Sequence, residues 1–378
     1  MQLTFVAGAR PNFMKVAPLL LAARRAGVAS RLVHTGQHYD AQMSDRFFDE
    51  LELPRPDGHL GVGSGTHAVQ TARVIAAFDD DLESHPADVV VVVGDVNSTL
   101  ACALVAVKRN VAVAHVEAGL RSGDRRMPEE VNRVLTDHLA DWLFTTETSA
   151  ADNLVAEGIS RARIHFVGNV MIDTLLRHRQ RALTRPVLAD LCLTPGEYAL
   201  CTLHRPSNVD TPGDARNTVS ALLEVAARLT AVVPLHPRTR ARLHEFGLLR
   251  ALEVADRLRV TEPMGYLDFL ALMSQARLVF TDSGGIQEET TALGIPCLTF
   301  RENTERPVTV TLGTNQVLGT NPAQTAAAVS AVLAGRGPDG RIPELWDGRA
   351  AERIMNVLTR TPADAGTSAP MEGQAAVA

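Results

Sequence analysis

Asp88-Val89-Val90-Val91-Val92-Val93-Gly94-Asp95 decides the fold. Five consecutive valines read as a strand buried on both faces, since β-branched side chains suit a pleated surface and nothing polar interrupts them. Such a strand belongs inside a parallel sheet covered by helices. The run ends on a glycine and a carboxylate. A second apolar strand, Val111 to Val116, runs into His115-Val116-Glu117-Ala118-Gly119-Leu120-Arg121-Ser122, and Met127-Pro128-Glu129-Glu130-Val131-Asn132-Arg133 follows. Adjacent parallel strands would bring Asp95 and Glu117 to one sheet edge, the edge where open α/β sheets bind ligands. Several acids there point to proton transfer rather than packing.

The same alternation extends both ways. Leu3 to Ala7, Arg31 to Thr35, Trp142 to Thr145 and Ile164 to Val167 read as strands. Val16 to Ala26, Thr66 to Phe78 and Ser98 to Val107 have helical spacing. The pattern breaks around Arg181 to Glu197, where Pro186, Pro195 and Gly196 cluster, and then restarts. Tyr198 to Leu203, Ala231 to Leu235, Leu258 to Thr261, Leu278 to Thr281 and Cys297 to Phe300 are the later strands. The expected class is α/β, with two Rossmann-like domains facing a cleft. The expected divisions are 1–180, a connection at 181–197, a second domain at 198–345, a terminal helix within 346–361 and a disordered tail at 362–378.

With 378 residues, 46% hydrophobic and 21% charged, the chain is long for a single core and typical of a soluble globular protein. A net charge of -6 argues against nonspecific nucleic-acid binding. No apolar run is long enough to span a bilayer, and the N-terminus reads as a first strand rather than a signal peptide. Cys102, Cys192, Cys201 and Cys297 stand in apolar contexts without a C-x-x-C pair, which predicts buried reduced thiols and fits a reducing cytoplasm. His34, His38 and His67 form no constellation and are expected to be structural or solvent-facing. Asp79-Asp80-Asp81 reads as a solvated helix end or loop.

Four further segments can carry chemistry. Gly8-Ala9-Arg10-Pro11-Asn12-Phe13-Met14-Lys15 places a Gly turn, Arg10 and Lys15 after the first strand, an arrangement suited to an anion. Asp282-Ser283-Gly284-Gly285-Ile286-Gln287-Glu288-Glu289 runs from a strand into a helix, whose open N–H groups and dipole favour a phosphate. Glu288 and Glu289 could accept from ribose hydroxyls, and Arg301 to Arg306 adds guanidinium charge. His204-Arg205 and His236-Pro237-Arg238 put a His and an Arg at successive strand ends, as diphosphate ligands would be. Neither His204 nor His236 has a ligand partner at close spacing, so no metal is expected there.

These motifs, with Thr304-Glu305-Arg306-Pro307, Asp347-Gly348 and Arg353-Ile354, resemble the non-hydrolysing UDP-N-acetylglucosamine 2-epimerases, in order and over about residues 1 to 358. The resemblance implies a GT-B-like fold, UDP-GlcNAc and UDP-ManNAc as the interconverted pair, no nicotinamide or metal, and a homodimer. It implies Asp95, Glu117 and Glu129 as catalytic carboxylates. Arg10, Lys15, His204, Arg205, His236, Ser283, Gly284, Gly285 and Arg306 would hold the diphosphate region, Glu289 the ribose and Phe269 the uracil. A modified UDP-amino sugar such as a UDP-diacetamido-uronic acid, a glycosyltransferase of the same fold and a non-catalytic UDP-sugar sensor are the competing readings.

The chain departs from that family's pattern in three places. Ser207 replaces the Glu of the His-Arg-x-Glu-Asn pattern. The segment from Arg121 to Pro128 is short. Gln37-His38 is kept, but Asp40 replaces the Gln after it, and an Arg-Gln pair is missing near residues 61 to 65. Those last positions resemble a second, activating UDP-GlcNAc site. Weak or absent activation is therefore expected: the rate with UDP-ManNAc should be hyperbolic without added UDP-GlcNAc, and a sigmoidal curve that UDP-GlcNAc makes hyperbolic would refute this.

Overall fold

The protein was analysed as a computed structural model, which describes residues 1–36 and 48–360. Gln37, His38 and Asp40 of the expected activating site, and the tail at 362–378, lie outside the described residues.

Among the described residues, seven strands form the first sheet: β1 (Gln2–Ala7), β2 (Ala29–His34), β3 (Gly58–His59), β4 (Val89–Val93), β5 (Ala112–Ala118), β6 (Trp142–Thr145) and β7 (Ile164–Phe166). Their order is β3-β2-β1-β4-β5-β6-β7 and every pairing is parallel. The valine run is β4, buried along its whole length. The second sheet holds β8 (Tyr198–Thr202), β9 (Thr230–Pro234), β10 (Leu258–Thr261), β11 (Leu278–Thr281), β12 (Cys297–Thr299) and β13 (Asn315–Val317), in the parallel order β10-β9-β8-β11-β12-β13. Each sheet reverses its winding once, beside β1 and beside β8, and the carboxyl ends at such a reversal leave a crevice for ligand.

The covering helices follow from apolar spacing. In His67–Ser84 the buried positions are Gln70, Val74, Phe78 and Leu82, one stripe at every fourth residue. Arg10–Arg25 begins with Pro11 in its first turn, where the missing N–H costs nothing. The chain leaves the first sheet through helix Val170–Leu183 and returns at its end as helix Ala350–Arg360. Both pack against Arg10–Arg25 and against each other. Ala350, Ala351, Ile354, Met355 and Leu358 are the buried face of the returning helix. Asp173 caps that helix by accepting from the amides of Ala350 (3.1 Å) and Ala351 (2.8 Å). Trp346 donates its indole N–H to the Thr146 carbonyl at 2.9 Å, another tie back to the first half.

Two expectations need correction. Cys102, Cys201 and Cys297 are buried free thiols, but Cys192 is exposed. It stands in the turn after the short helix Val187–Asp190, with φ at 46°, so its apolar neighbours do not form an element around it. Of the two places expected for it, His34 takes the structural one: it is buried, edge-on to Phe13 and His59, and burial, with the charge of His59, lowers its pKa to about 4. Asp79 to Asp81 lie inside helix His67–Ser84, where Arg31 pairs with Asp81 at 2.6 Å and Arg109 with Asp79 at 2.5 Å. Among the described residues no helix is long and apolar enough to cross a membrane.

Candidate active site

Glu117 is the last residue but one of β5 and the register with β6 shifts around it. Its φ is 74°, a left-handed conformation that a residue with a side chain adopts only when its surroundings enforce it. The side chain is buried between two cations from opposite halves of the chain. Lys15 of helix Arg10–Arg25 pairs with Oε2, and the Arg306 guanidinium with Oε1 at 2.6 Å. Gly94, at the end of β4, lets the lysine through: a Cβ there would come within 2.9 Å of Lys15 Nζ. Asn12 fixes the same turn, accepting from the amides of Gly8 (3.2 Å) and Ala9 (2.8 Å) and donating to the Val93 carbonyl at 3.1 Å.

Asp95 lies beside Gly94 and is half-buried. Burial pushes its carboxyl up, but the charges of Arg133, Lys15 and Arg306 outweigh that and hold it below the ordinary aspartate value. Arg133 pairs with it directly, and Asn132 donates to its backbone carbonyl at 2.9 Å. Asn132 and Arg133 belong to helix Pro128–Leu139. Glu129, three and four positions earlier, shares their face. Among the described residues it has neither a hydrogen bond nor an ion-pair partner. Its neighbour Glu130 is occupied: it accepts from the amides of Ser122 and Gly123, both at 2.9 Å, and from Arg133 at 2.8 Å, folding the short loop after β5 onto the helix start.

The second half contributes a complementary edge. Helix Gly284–Leu293 starts after Ser283 with no side-chain cap, so its first amides and dipole face the crevice. Gly284 is required: a Cβ there would stand 2.7 Å from Glu305 Oε1 and 2.8 Å from an Arg306 nitrogen. Arg306 meets three acids, Glu117 at 2.6 Å, Glu305 at 2.8 Å and Glu288 at 3.0 Å. Glu305 also pairs with Arg301 at 2.8 Å and Arg205 at 3.4 Å. Burial raises Glu305, but Arg306, Arg301 and Arg205 together hold it far below the usual carboxylate range. Burial pushes Glu288 up despite Arg306, and Asn169 donates to it at 2.9 Å.

His204 and Arg205 follow β8, organised by Asp282 at the end of β11. Asp282 accepts from both their amides (2.9 and 2.8 Å) and from the Asn208 side chain at 2.9 Å. Its other oxygen is 3.2 Å from His204 Nδ1. His236, after the neighbouring β9, caps helix Pro237–Glu245, and its ring lies 6.5 Å from that of His204. Glu289 is buried and accepts from the Tyr266 hydroxyl at 3.2 Å; burial, with the nearby Glu288 charge, raises it to about 8. Phe269, on helix Tyr266–Ser274, is half-buried and packs against the core. Arg10 heads helix Arg10–Arg25. Among the described residues no three His, Cys, Asp or Glu side chains form a metal-binding group.

The structure thus joins Lys15, Asp95, Glu117 and Arg306 in one charged centre and gathers His204, Arg205 and the Ser283–Gly285 turn at the facing edge. Sequence reasoning assigned no role to Arg133, Glu130, Asp282 or Glu305, although each stood inside a quoted motif, and Glu288, expected at a ribose, pairs with Arg306. The available signal was charge: each is an ionisable residue in a segment that already held a candidate site residue.

Two doubly wound parallel sheets whose carboxyl edges face each other, with acids on one and a helix start with cations on the other, define a two-domain α/β protein of the GT-B-like type. The model of the family described as UDP-N-acetylglucosamine 2-epimerase matches residues 22–359. The UDP-N-acetylglucosamine 2-epimerase of Methanocaldococcus jannaschii is 41% identical over 369 residues, 95% of this chain and 99% of its own. A crystal structure of M. jannaschii UDP-GlcNAc 2-epimerase in complex with UDP-GlcNAc and UDP superposes with a TM-score of 0.89 at 41% identity, covering 96% of this chain and all of that one. The UDP-2,3-diacetamido-2,3-dideoxy-D-glucuronate 2-epimerase of Pseudomonas aeruginosa is 43% identical over 323 residues, 84% of this chain and 88% of its own. The chain belongs to the UDP-N-acetylglucosamine 2-epimerase family.

Proposed function

We propose that this protein is a non-hydrolysing isomerase that inverts C2 of UDP-GlcNAc to give UDP-ManNAc, reversibly, by eliminating UDP and adding it back. The observation that carries the reading is a charged centre at one sheet edge, where Asp95 and Glu117 meet Lys15 and Arg306, with Glu129 on the adjoining helix and the open helix start at Ser283–Gly285 opposite. The C2 proton is weakly acidic because no carbonyl stands beside it. Breaking the C1–oxygen bond to UDP gives C1 oxocarbenium character and makes that proton removable. Arg306, Lys15, Arg205, His204, His236 and the helix amides would stabilise the departing diphosphate. One carboxylate takes the C2 proton and another, on the opposite face, returns one to the 2-acetamidoglucal intermediate. The unpaired Glu129 and the cation-bound Asp95 and Glu117 are suited to different parts of that exchange. Burial of the centre keeps water from the intermediate.

Proton NMR of the protein with UDP-GlcNAc in heavy water tests the reading. Deuterium at C2 together with UDP-ManNAc is expected; free ManNAc with UDP would make it a hydrolysing enzyme. The 43% identity to the P. aeruginosa enzyme supports one second reading, a diacetamido-uronic acid as the sugar. Turnover of that substrate with none of UDP-GlcNAc would establish it. A cytoplasmic homodimer, supported by the family resemblance and the buried free thiols, completes the proposal, and a solution mass of one chain would refute the dimer.

Glu289 gives a binding prediction. With a value near 8 it is mostly protonated at neutral pH. Two ribose hydroxyls donating to it would favour the ionised form. UDP binding at about pH 7 should therefore release up to one proton, and affinity should rise with pH up to about 8. Calorimetry in buffers of different ionisation enthalpy measures the release. Glu289→Gln should abolish it, and unchanged release in that variant would remove Glu289 from the ribose site.

A further inference from the structure

We propose that His115 and Asp137 are positioning residues that fix the separation of Asp95 and Glu117; this rests on assigning those two carboxylates to proton transfer. His115 lies on β5, two residues before Glu117, and its side chain is fully buried. Its Nε2 is 2.8 Å from the carbonyl oxygen of Gly94, the residue before Asp95. Its Nδ1 is 2.7 Å from Asp137 Oδ1. Asp137, on helix Pro128–Leu139, is equally buried. Its second oxygen accepts from the Gly119 amide at 3.1 Å and pairs with Arg121 at 2.7 Å. A circuit of hydrogen bonds therefore runs from Gly94 through His115 and Asp137 to Gly119, passing around Glu117.

The circuit holds backbone that would otherwise relax. Gly94, Glu117 and Gly119 all have left-handed φ, at 66°, 74° and 81°. The glycines adopt that conformation freely, whereas Glu117 does not. Gly119 is also pressed against the Ala150 carbonyl, so the turn cannot shift toward it. Burial raises the Asp137 carboxyl, but the His115 ring and Arg121 outweigh it and hold it below the ordinary value, which keeps it an acceptor for all three donors. Neither side chain reaches the cleft, so their effect on turnover passes through the placement of Asp95 and Glu117.

Two variants separate placement from charge. In Asp137→Asn the new amide can donate to Nδ1 and its oxygen can accept from Gly119: one hydrogen bond reverses and the links to Gly94 and Gly119 remain, while Arg121 loses this anion and keeps Glu157. In His115→Asn the shorter side chain reaches the Nδ1 position and not the Nε2 position, so the Gly94 link alone is lost. Displacement of a reacting group by about 1 Å costs about 100-fold in rate. His115→Asn is therefore expected to lower kcat about 100-fold with KM for UDP-GlcNAc within about 3-fold, while Asp137→Asn keeps kcat within about 3-fold of wild type. Circular dichroism checks folding; if His115→Asn does not fold, His115→Gln, which keeps the Gly94 link and drops the Asp137 one, takes its place with the same expectation. Full kcat in the folded His115 variant, or an equal fall in Asp137→Asn, would overturn the proposal. Wild-type protein that exchanges no C2 proton would instead overturn the epimerase reading.

Discussion

Arg306→Met is expected to be the most damaging single change in this protein. The guanidinium is buried among Glu117, Glu288 and Glu305, and it links residues 189 positions apart. Removing one partner of a buried ion-pair group typically costs about 3–5 kcal/mol, because the remaining charges stay unpaired. Turnover should disappear with it, since Glu117 loses one of its two cations and the diphosphate loses a ligand. The stability deficit should depend on pH. Without Arg306 the folded-state pKa of Glu288, which burial already raises, climbs further above its unfolded value, so the variant's folded state holds that proton to higher pH. It therefore loses stability as pH rises through those values and recovers part of it as pH falls. Urea unfolding at about pH 6 and about pH 8 should show a larger deficit at the higher pH. An equal deficit at both would mean that Glu288 is not a charged partner of Arg306.

The second large effect concerns the three carboxylates themselves. Asp95→Asn, Glu117→Gln and Glu129→Gln should each lower epimerisation by about 10²–10⁴-fold, the usual contribution of a positioned acid or base. The informative measurement is which partial reaction survives. Epimerisation needs a base on one face of the sugar and an acid on the other, and the two exchange roles in the reverse direction. A variant lacking one of them can still eliminate UDP from the epimer whose proton faces the group that remains. It should then release 2-acetamidoglucal and UDP from UDP-GlcNAc or from UDP-ManNAc, but not from both. Opposite preferences in two of the variants would assign the faces. A variant that eliminates equally from both epimers would place its residue outside proton transfer.

Much of the framework was legible because local chemistry dictates it. The valine run of β4 has no alternative to a buried strand, and β6, β10 and β11 lie where their apolar runs begin and end. Two of the four edge strands were not legible. Gly58–His59 is two residues long and Asn315–Val317 carries two amides, so neither has a period to detect. Pairing in both comes from neighbours that the local sequence does not name. At the site, the Asp95 and Glu117 edge follows from two adjacent strands. The position of Arg306 does not. Its company of acids reads, in sequence, as a phosphate ligand with nearby Glu residues, and only the approach of the two halves puts it on Glu117. Glu130 shows the same limit: beside Glu129 in the sequence, it folds a loop instead of facing the crevice.

The second sheet is entered through helix Val170–Leu183 and left through helix Ala350–Arg360, and these two helices touch. A body suspended from one flexible strand could tumble relative to its support. One suspended from two strands fastened side by side can only swing, like a door on a single pin. The pin here is clamped by Asp173 on the second crossing and by Trp346 on Thr146. Beside it, Asn169 at the head of the first crossing holds Glu288, which holds Arg306 against Glu117. A swing about that pin parts the two sheet edges, so an elongated anionic substrate can enter, and water is shut out when they meet again.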